Sequence, residues 1–169
     1  MKAKDIAIAA FAVVLVGVLA YVWFTPSGLK QAPPLNVTTL GGEKVSLQQL
    51  QGRPVLVTFW ATTCPGCVKE MPHLVELYHE LRPQGLEIIA LAMSYDPEEQ
   101  VREMARLKQL PYKVALDRDG SAARAFGDVK LTPTSFLIDP NGRIVQQKLG
   151  EMDMDALHAR ILGMLQKRG

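Results

Sequence analysis

The chain contains two cysteines, Cys64 and Cys67, in the motif Cys-Pro-Gly-Cys. Two thiols at this spacing can join in a disulfide, and because there is no third cysteine, neither is held in a separate bridge. An apolar run over residues 54–60 precedes the motif, and apolar residues at helical spacing follow it. A dithiol between a strand and a helix is typical of thiol–disulfide exchange.

The position of Cys64 suits it to attack. Pro65 fits the first position of a helix, so Cys64 lies where that helix begins. Free amide hydrogens and the positive end of the helix dipole stabilise a thiolate at this place. Cys67 follows nearly one turn later on the same side, so we expect it to resolve the mixed disulfide that Cys64 forms.

Glu70 lies one further turn along the same predicted helix face. A carboxylate at this position can accept the proton of Cys67 during resolution, which is the work of a general base. The spacing alone favours a solvated acid on the helix surface over this role.

A metal site is the main alternative explanation of paired cysteines. Zinc would need two further ligands, and the nearest candidates, His73 and His79, would point to different sides of a helix. A copper-binding module stays open, since two thiolates suit Cu(I) and His158 could supply a third ligand. We predict no metal and no cofactor other than a redox-active Cys64–Cys67 disulfide.

The N-terminal segment indicates a membrane. Lys2 and Lys4 precede an uncharged apolar stretch over residues 6–24, which as a helix would nearly span the ~30 Å hydrocarbon core of a bilayer. We predict a membrane anchor over residues 1–25, and a cleaved signal peptide ending near Ala20 is the alternative. Both place the remaining chain outside the cytoplasmic membrane, where disulfides persist.

The rest of the chain divides simply. Residues 26–34 are rich in proline and polar residues and predict a linker, and residues 35–169 predict one domain with one core. The net charge of +2 comes without a basic block, so we predict no nucleic acid binding.

The predicted elements alternate between strands and helices after a small hairpin. We expect Asp96 to cap the second helix, with Pro97 at its first position. This order predicts an α/β domain with a mixed sheet. The predicted strands are 35–40, 44–47, 54–60, 86–92, 112–116, 135–138 and 144–149, and the helices are 68–81, 97–107, 121–126 and 154–165.

A family resemblance rests on several segments. Residues 59–72, with the sequence FWATTCPGCVKEMP, resemble the active-site segment of membrane-anchored TlpA/ResA-like disulfide reductases. Residues 42–55 resemble the entry hairpin of that family, and residues 132–142 resemble a later motif. The resemblance implies a thioredoxin-like fold: a mixed central sheet flanked by helices, an N-terminal hairpin, and an inserted βα unit at residues 86–116.

The same resemblance implies roles for individual residues. It implies that Glu70 assists the dithiol, that the Thr132–Pro133 bond is cis and lies against it, and that Thr132, Pro133 and Trp60 bind the substrate. Thr58 occupies the place of a buried aspartate in cytosolic thioredoxins. We therefore expect Glu70 to be the only carboxylate near the dithiol.

Three positions depart from the family pattern. Thr63 replaces a tryptophan, Leu131 replaces a frequent glycine, and the residues at 65–66 reverse the usual order. The inter-cysteine pair influences the reduction potential. It contains no histidine, which strong oxidants often have, and this favours a reductant.

These observations predict a thiol–disulfide oxidoreductase anchored in the cytoplasmic (inner) membrane, with its domain on the periplasmic side. One expected partner is an extracytoplasmic protein disulfide, and cytochrome c maturation is a candidate process. The other is a membrane electron donor that reduces the Cys64–Cys67 disulfide again. A peroxidase is a further alternative. Peroxiredoxins place a proline and a threonine or serine where this chain has Val57 and Ala61, which disfavours it.

Overall fold

The computed structural model describes residues 30–166. The predicted anchor over residues 1–25 and the first part of the predicted linker lie outside these residues. Within residues 30–166, every helix is too short or too polar to cross a membrane.

A mixed five-stranded sheet forms the centre of the domain. In chain order its strands are β3 (Val55–Trp60), β4 (Glu87–Ala92), β5 (Lys113–Leu116), β6 (Thr134–Ile138) and β7 (Ile144–Leu149). Their order across the sheet is β5-β4-β3-β6-β7. The first three strands are parallel, whereas β6 and β7 run antiparallel to their neighbours. This confirms the predicted mixed sheet and its inserted βα unit.

The central position of β3 follows from its composition. All six of its residues are buried, as expected for an apolar strand covered on both faces. The predicted hairpin is also present, as β1 (Asn36–Thr38) and β2 (Lys44–Ser46), which pair antiparallel in a separate small sheet.

Among residues 30–166, four helices cover the sheet: α1 (Pro65–Leu81), α2 (Glu98–Leu107), α3 (Ser121–Ala125) and α4 (Met154–Gln166). A short 3-10 helix, Arg82–Gln84, follows α1. Helix α1 continues through Pro72, although a proline inside a helix removes one backbone hydrogen bond.

Side chains of β3 point alternately to two apolar cores. Leu56 and Trp60 belong to the core that includes residues of α1, α2 and α4. Val57 and Phe59 belong to the core on the other face, which includes residues of α3. Both cysteines lie in the first core, so α1 carries the dithiol at the edge of a densely packed region.

The described part of the predicted linker makes backbone contacts with the domain. Gln31 forms a β-bridge with Arg143, and the Ala32 backbone amide donates a hydrogen bond to the Gly142 carbonyl. Residues 30–34 therefore lie against the domain. Backbone pairing beside β7 explains this, and a sequence rich in proline and polar residues gives no sign of it.

Candidate active site

The dithiol caps helix α1. Cys64 is the N-cap residue in an extended conformation, and its Sγ accepts a hydrogen bond of 3.2 Å from the Cys67 backbone amide. The two sulfurs are joined in a disulfide. Cys64 is 8% exposed and Cys67 is 3% exposed, so Cys64 is nearer to solvent. The expectation that the N-terminal cysteine is the more exposed of the two is confirmed, and its attack on the client stays a prediction.

Asp96 holds the loop that leads into the dithiol. Its buried carboxylate accepts hydrogen bonds of 2.6 Å from both the backbone amide and the hydroxyl of Thr62. The prediction that Asp96 caps α2 is wrong, because Pro97 is the N-cap residue and the helix begins at Glu98. Two short charge-assisted bonds to Thr62 take the carboxylate away from the helix end.

Glu70 is buried on the inner side of α1, with 3% of its surface exposed. Its Oε1 accepts a 2.6 Å hydrogen bond from the Met152 backbone amide. Burial raises the pKa of Glu70, the Met152 bond opposes that rise, and the negative charge of Glu151 adds to it. The effect of His73 is smaller and lowers the pKa. Glu70 therefore keeps its proton to a higher pH than an exposed glutamate.

A narrow cavity of about 10 Å³ lies beside the dithiol, and its lining includes Trp60, Cys67, Glu70, Tyr112 and Pro133. Burial, with a contribution from the charge of Glu70, raises the pKa of Tyr112. Trp60 is 3% exposed, and its indole nitrogen has no hydrogen-bond partner among the described residues. Trp60 therefore lines the cavity beside Cys67 and is not exposed at the surface, where the predicted substrate contact would occur.

The Thr132–Pro133 peptide bond is cis, as the resemblance implied. Pro133 lies against the turn between the cysteines, because a Cβ added at Gly66 would be 3.6 Å from the Pro133 Cδ. Thr132 is partly exposed beside it, and Leu131 is exposed. The structure thus brings Thr132 and Pro133 to the dithiol.

A second carboxylate, which the sequence did not reveal, also lies near the dithiol. The same added Cβ at Gly66 would be 3.5 Å from Oε1 of Glu151. The expectation that Glu70 is the only nearby carboxylate is therefore wrong. Glu151 follows β7, far from the motif in sequence, so no spacing could have indicated it. Thr58, at the place of the buried aspartate, accepts a 2.8 Å hydrogen bond from the Ser135 hydroxyl.

Comparisons with known proteins agree with this geometry. A model of the AhpC/TSA family matches residues 29–147. Thiol-disulfide oxidoreductase ResA of Bacillus thuringiensis subsp. konkukian is 38% identical over 128 residues, covering 76% of this chain and 73% of the relative. The chain belongs to the ResA-like thioredoxin family. A ResA of Bacillus cereus is 39% identical over 138 residues, covering 82% of this chain and 76% of the relative.

A solved structure places this ResA-like chain in the same fold. The thioredoxin domain of a thiol-disulfide oxidoreductase from Bacteroides vulgatus matches with a TM-score of 0.71 and 25% identity. The match covers 83% of this chain and 99% of that one. The predicted thioredoxin-like fold is confirmed, and the protein is a thiol–disulfide oxidoreductase with a CxxC pair.

None of the three histidines lines the cavity beside the dithiol. His73 and His79 are exposed on α1, and the His158 Nε2 lies 2.8 Å from Oε1 of Glu80. Across residues 30–166, no group of three or more histidine, cysteine or acidic side chains is arranged to hold a metal ion.

Replacing Asp96 tests its contribution to this ResA-like site. We expect Asp96→Ala to lower the free energy of unfolding by about 1–3 kcal/mol, because two donors of Thr62 lose their acceptor. Urea denaturation of the oxidised full-length protein measures this. Glu99→Gln, at an exposed position in α2, is the control and should change little. Equal stability of the two variants would contradict the role given to Asp96.

Proposed function

We propose that this oxidoreductase is a disulfide reductase of extracytoplasmic proteins. The observation that carries the proposal is the buried Glu70 carboxylate, which lines the same narrow cavity as Cys67. A buried acid with a raised pKa beside a resolving cysteine is suited to proton transfer in the exchange reaction.

The proposed reaction begins from the dithiol form. The Cys64 thiolate attacks one sulfur of a client disulfide, that bond breaks, and the other client sulfur leaves as a thiolate and takes up a proton. The Cys67 thiolate then attacks Cys64 in the mixed disulfide and releases the second client thiol. The client gains two electrons, and the Cys64–Cys67 disulfide forms.

Glu70 supplies the base for the second half of this reaction. The Cys67 thiol must lose its proton before it attacks, and the ionised Glu70 carboxylate accepts it. Because Glu70 is buried with Cys67, water has little access to compete for that proton.

We place the client beside Pro133. Thr132 is partly exposed, and its backbone is suited to pair with an extended client segment, while buried Pro133 lies against the turn between the cysteines. Buried Trp60 lines the same cavity as Pro133. An apocytochrome c is the candidate client that the family resemblance suggests, although Thr134 departs from the glutamate of one cytochrome-maturation branch.

The proposed location follows from the N-terminal sequence. The lysines followed by an apolar stretch over residues 6–24 support an anchor in the cytoplasmic membrane with the domain on the outer side. A dithiol donor in that membrane would return the Cys64–Cys67 disulfide to its reduced form. The intact mass of the membrane-bound protein tests the anchor, since loss of the first residues would show a cleaved signal.

Replacing each cysteine separately tests the order of attack. We expect Cys64→Ser to abolish reduction of insulin and of a disulfide-bonded apocytochrome c peptide by the reduced full-length protein, because no nucleophile remains at the helix start. Cys67→Ser should instead accumulate a mixed disulfide, detectable by intact mass. Retained turnover in Cys64→Ser, with normal circular dichroism, would overturn the mechanism.

Replacing Glu70 tests the proton transfer. The ionised fraction of Glu70 rises as pH passes through its raised pKa, so wild-type client release should accelerate over that range. Glu70→Gln should lose this acceleration and release the client roughly 10²-fold more slowly near neutral pH. The difference should shrink above about pH 8.5, where thiols ionise unaided. Single-turnover kinetics measure the release rate and its pH dependence. Identical pH profiles for the wild type and Glu70→Gln would exclude Glu70 as the base.

A further inference from the structure

Three consecutive residues after β7 each contact a different part of the active site. We call Gly150–Glu151–Met152 the 150–152 loop. The Gly150 amide donates a 2.8 Å hydrogen bond to the Pro133 carbonyl, and the Met152 amide donates to Glu70. Gly150 has a φ of +86°, which favours glycine and allows the chain to turn here.

The middle residue of the loop, Glu151, faces the dithiol motif. Its Oε1 would lie 3.5 Å from a Cβ at Gly66, so its carboxylate covers the turn between the cysteines. Its Oε2 accepts a 2.8 Å ion-paired hydrogen bond from Nζ of Lys69 on α1. This ion pair joins the loop to the helix that carries Cys64 and Cys67.

We propose that Glu151, held in place by Lys69, is a positioning residue that acts on the proton carried by Glu70. The inference rests on the role proposed for Glu70 in the exchange reaction. An exposed ion pair adds little to stability, and the Lys69 and Glu151 side chains are 71% and 47% exposed. The pair is therefore better placed to act by charge than by strengthening the fold.

The charged and titratable groups around Glu70 are few. Tyr112 faces it across the cavity and Cys67 lines the same cavity, while His73 acts from α1 itself. Glu151 is the only neighbouring carboxylate that contributes to the raised pKa of Glu70 among the described residues. Lys69 is ion-paired with that carboxylate, and neither side chain lines the cavity.

A charge role and a purely structural role predict opposite results for one variant. Glu151→Gln keeps the shape of the side chain and an oxygen that can accept from Lys69, but removes the negative charge. If Glu151 acts by charge, the pKa of Glu70 falls. If Glu151 only holds the loop in place, the substitution loosens the loop and weakens the Met152 hydrogen bond to Glu70. The pKa of Glu70 then rises.

The test is an NMR titration of the Glu70 side-chain carboxyl carbon in the oxidised full-length protein, with Glu70→Gln used to assign the signal. We expect a lower Glu70 pKa in Glu151→Gln and a higher one in Lys69→Met, which leaves the Glu151 charge unpaired. Both differences should shrink in 1 M salt, where the Debye length is about 3 Å. Glu103→Gln, which breaks the exposed Arg106–Glu103 pair on α2, is the matched control and should leave Glu70 unchanged.

A Glu70 pKa that rises or stays the same in Glu151→Gln would overturn the proposal. The titration needs no client, so it gives this answer whether or not the reductase mechanism is right. In single-turnover experiments, the pH range over which client release accelerates should move to lower pH in Glu151→Gln. At the pH where half of wild-type Glu70 is ionised, the release rate should rise by up to about twofold. If the pKa of Glu70 shifts but the pH dependence of client release does not, the result would count against Glu70 as the base. It would leave the effect of the Glu151 charge on Glu70 intact.

Discussion

The hydrogen bond from the Met152 backbone amide to the buried Glu70 carboxylate joins the loop after β7 to helix α1, which carries the dithiol. Burying a carboxylate costs free energy unless it is hydrogen-bonded, so this 2.6 Å contact allows Glu70 to lie within the core at all. The same loop reaches the Pro133 carbonyl through Gly150. The loop after β7 therefore bonds helix α1 through Glu70 and the cis-proline turn through Pro133.

The Asp96 carboxylate holds the loop on the N-terminal side of the dithiol. Asp96 fixes Thr62, and two residues later Cys64 caps α1 with its own sulfur. Hydrogen bonds therefore hold the chain both before Cys64, at Thr62, and at Cys64 itself. We propose that Glu70 transfers a proton, whereas Asp96 holds the loop before Cys64 in position through Thr62.

Much of this architecture could be predicted from local sequence. The apolar run of β3, the cysteine pair and Pro65 together specify a strand, a turn and a helix start, because each signal acts over a few residues. The family resemblance supplied the cis bond before Pro133. These features were confirmed by the structure or by the relatives.

The errors over Asp96 and Glu151 concern contacts between residues distant in sequence. Asp96 resembles a helix cap locally, but it bonds Thr62, 34 residues away, because the ends of β3 and β4 meet at one edge of the sheet. The Met152–Glu70 contact spans 82 residues, and so does the Lys69–Glu151 pair. Local spacing carries no information on such pairs, since the packing of α1 against the loop after β7 creates them.

The reduction potential of the Cys64–Cys67 pair tests the central claim most directly. Equilibration of the full-length protein with glutathione buffers of known ratio, followed by thiol trapping, gives this value. A reductase should lie near the about −270 mV of thioredoxin. A potential near the about −120 mV of strong oxidants would contradict it, because the pair would then donate disulfides to its clients instead of removing them.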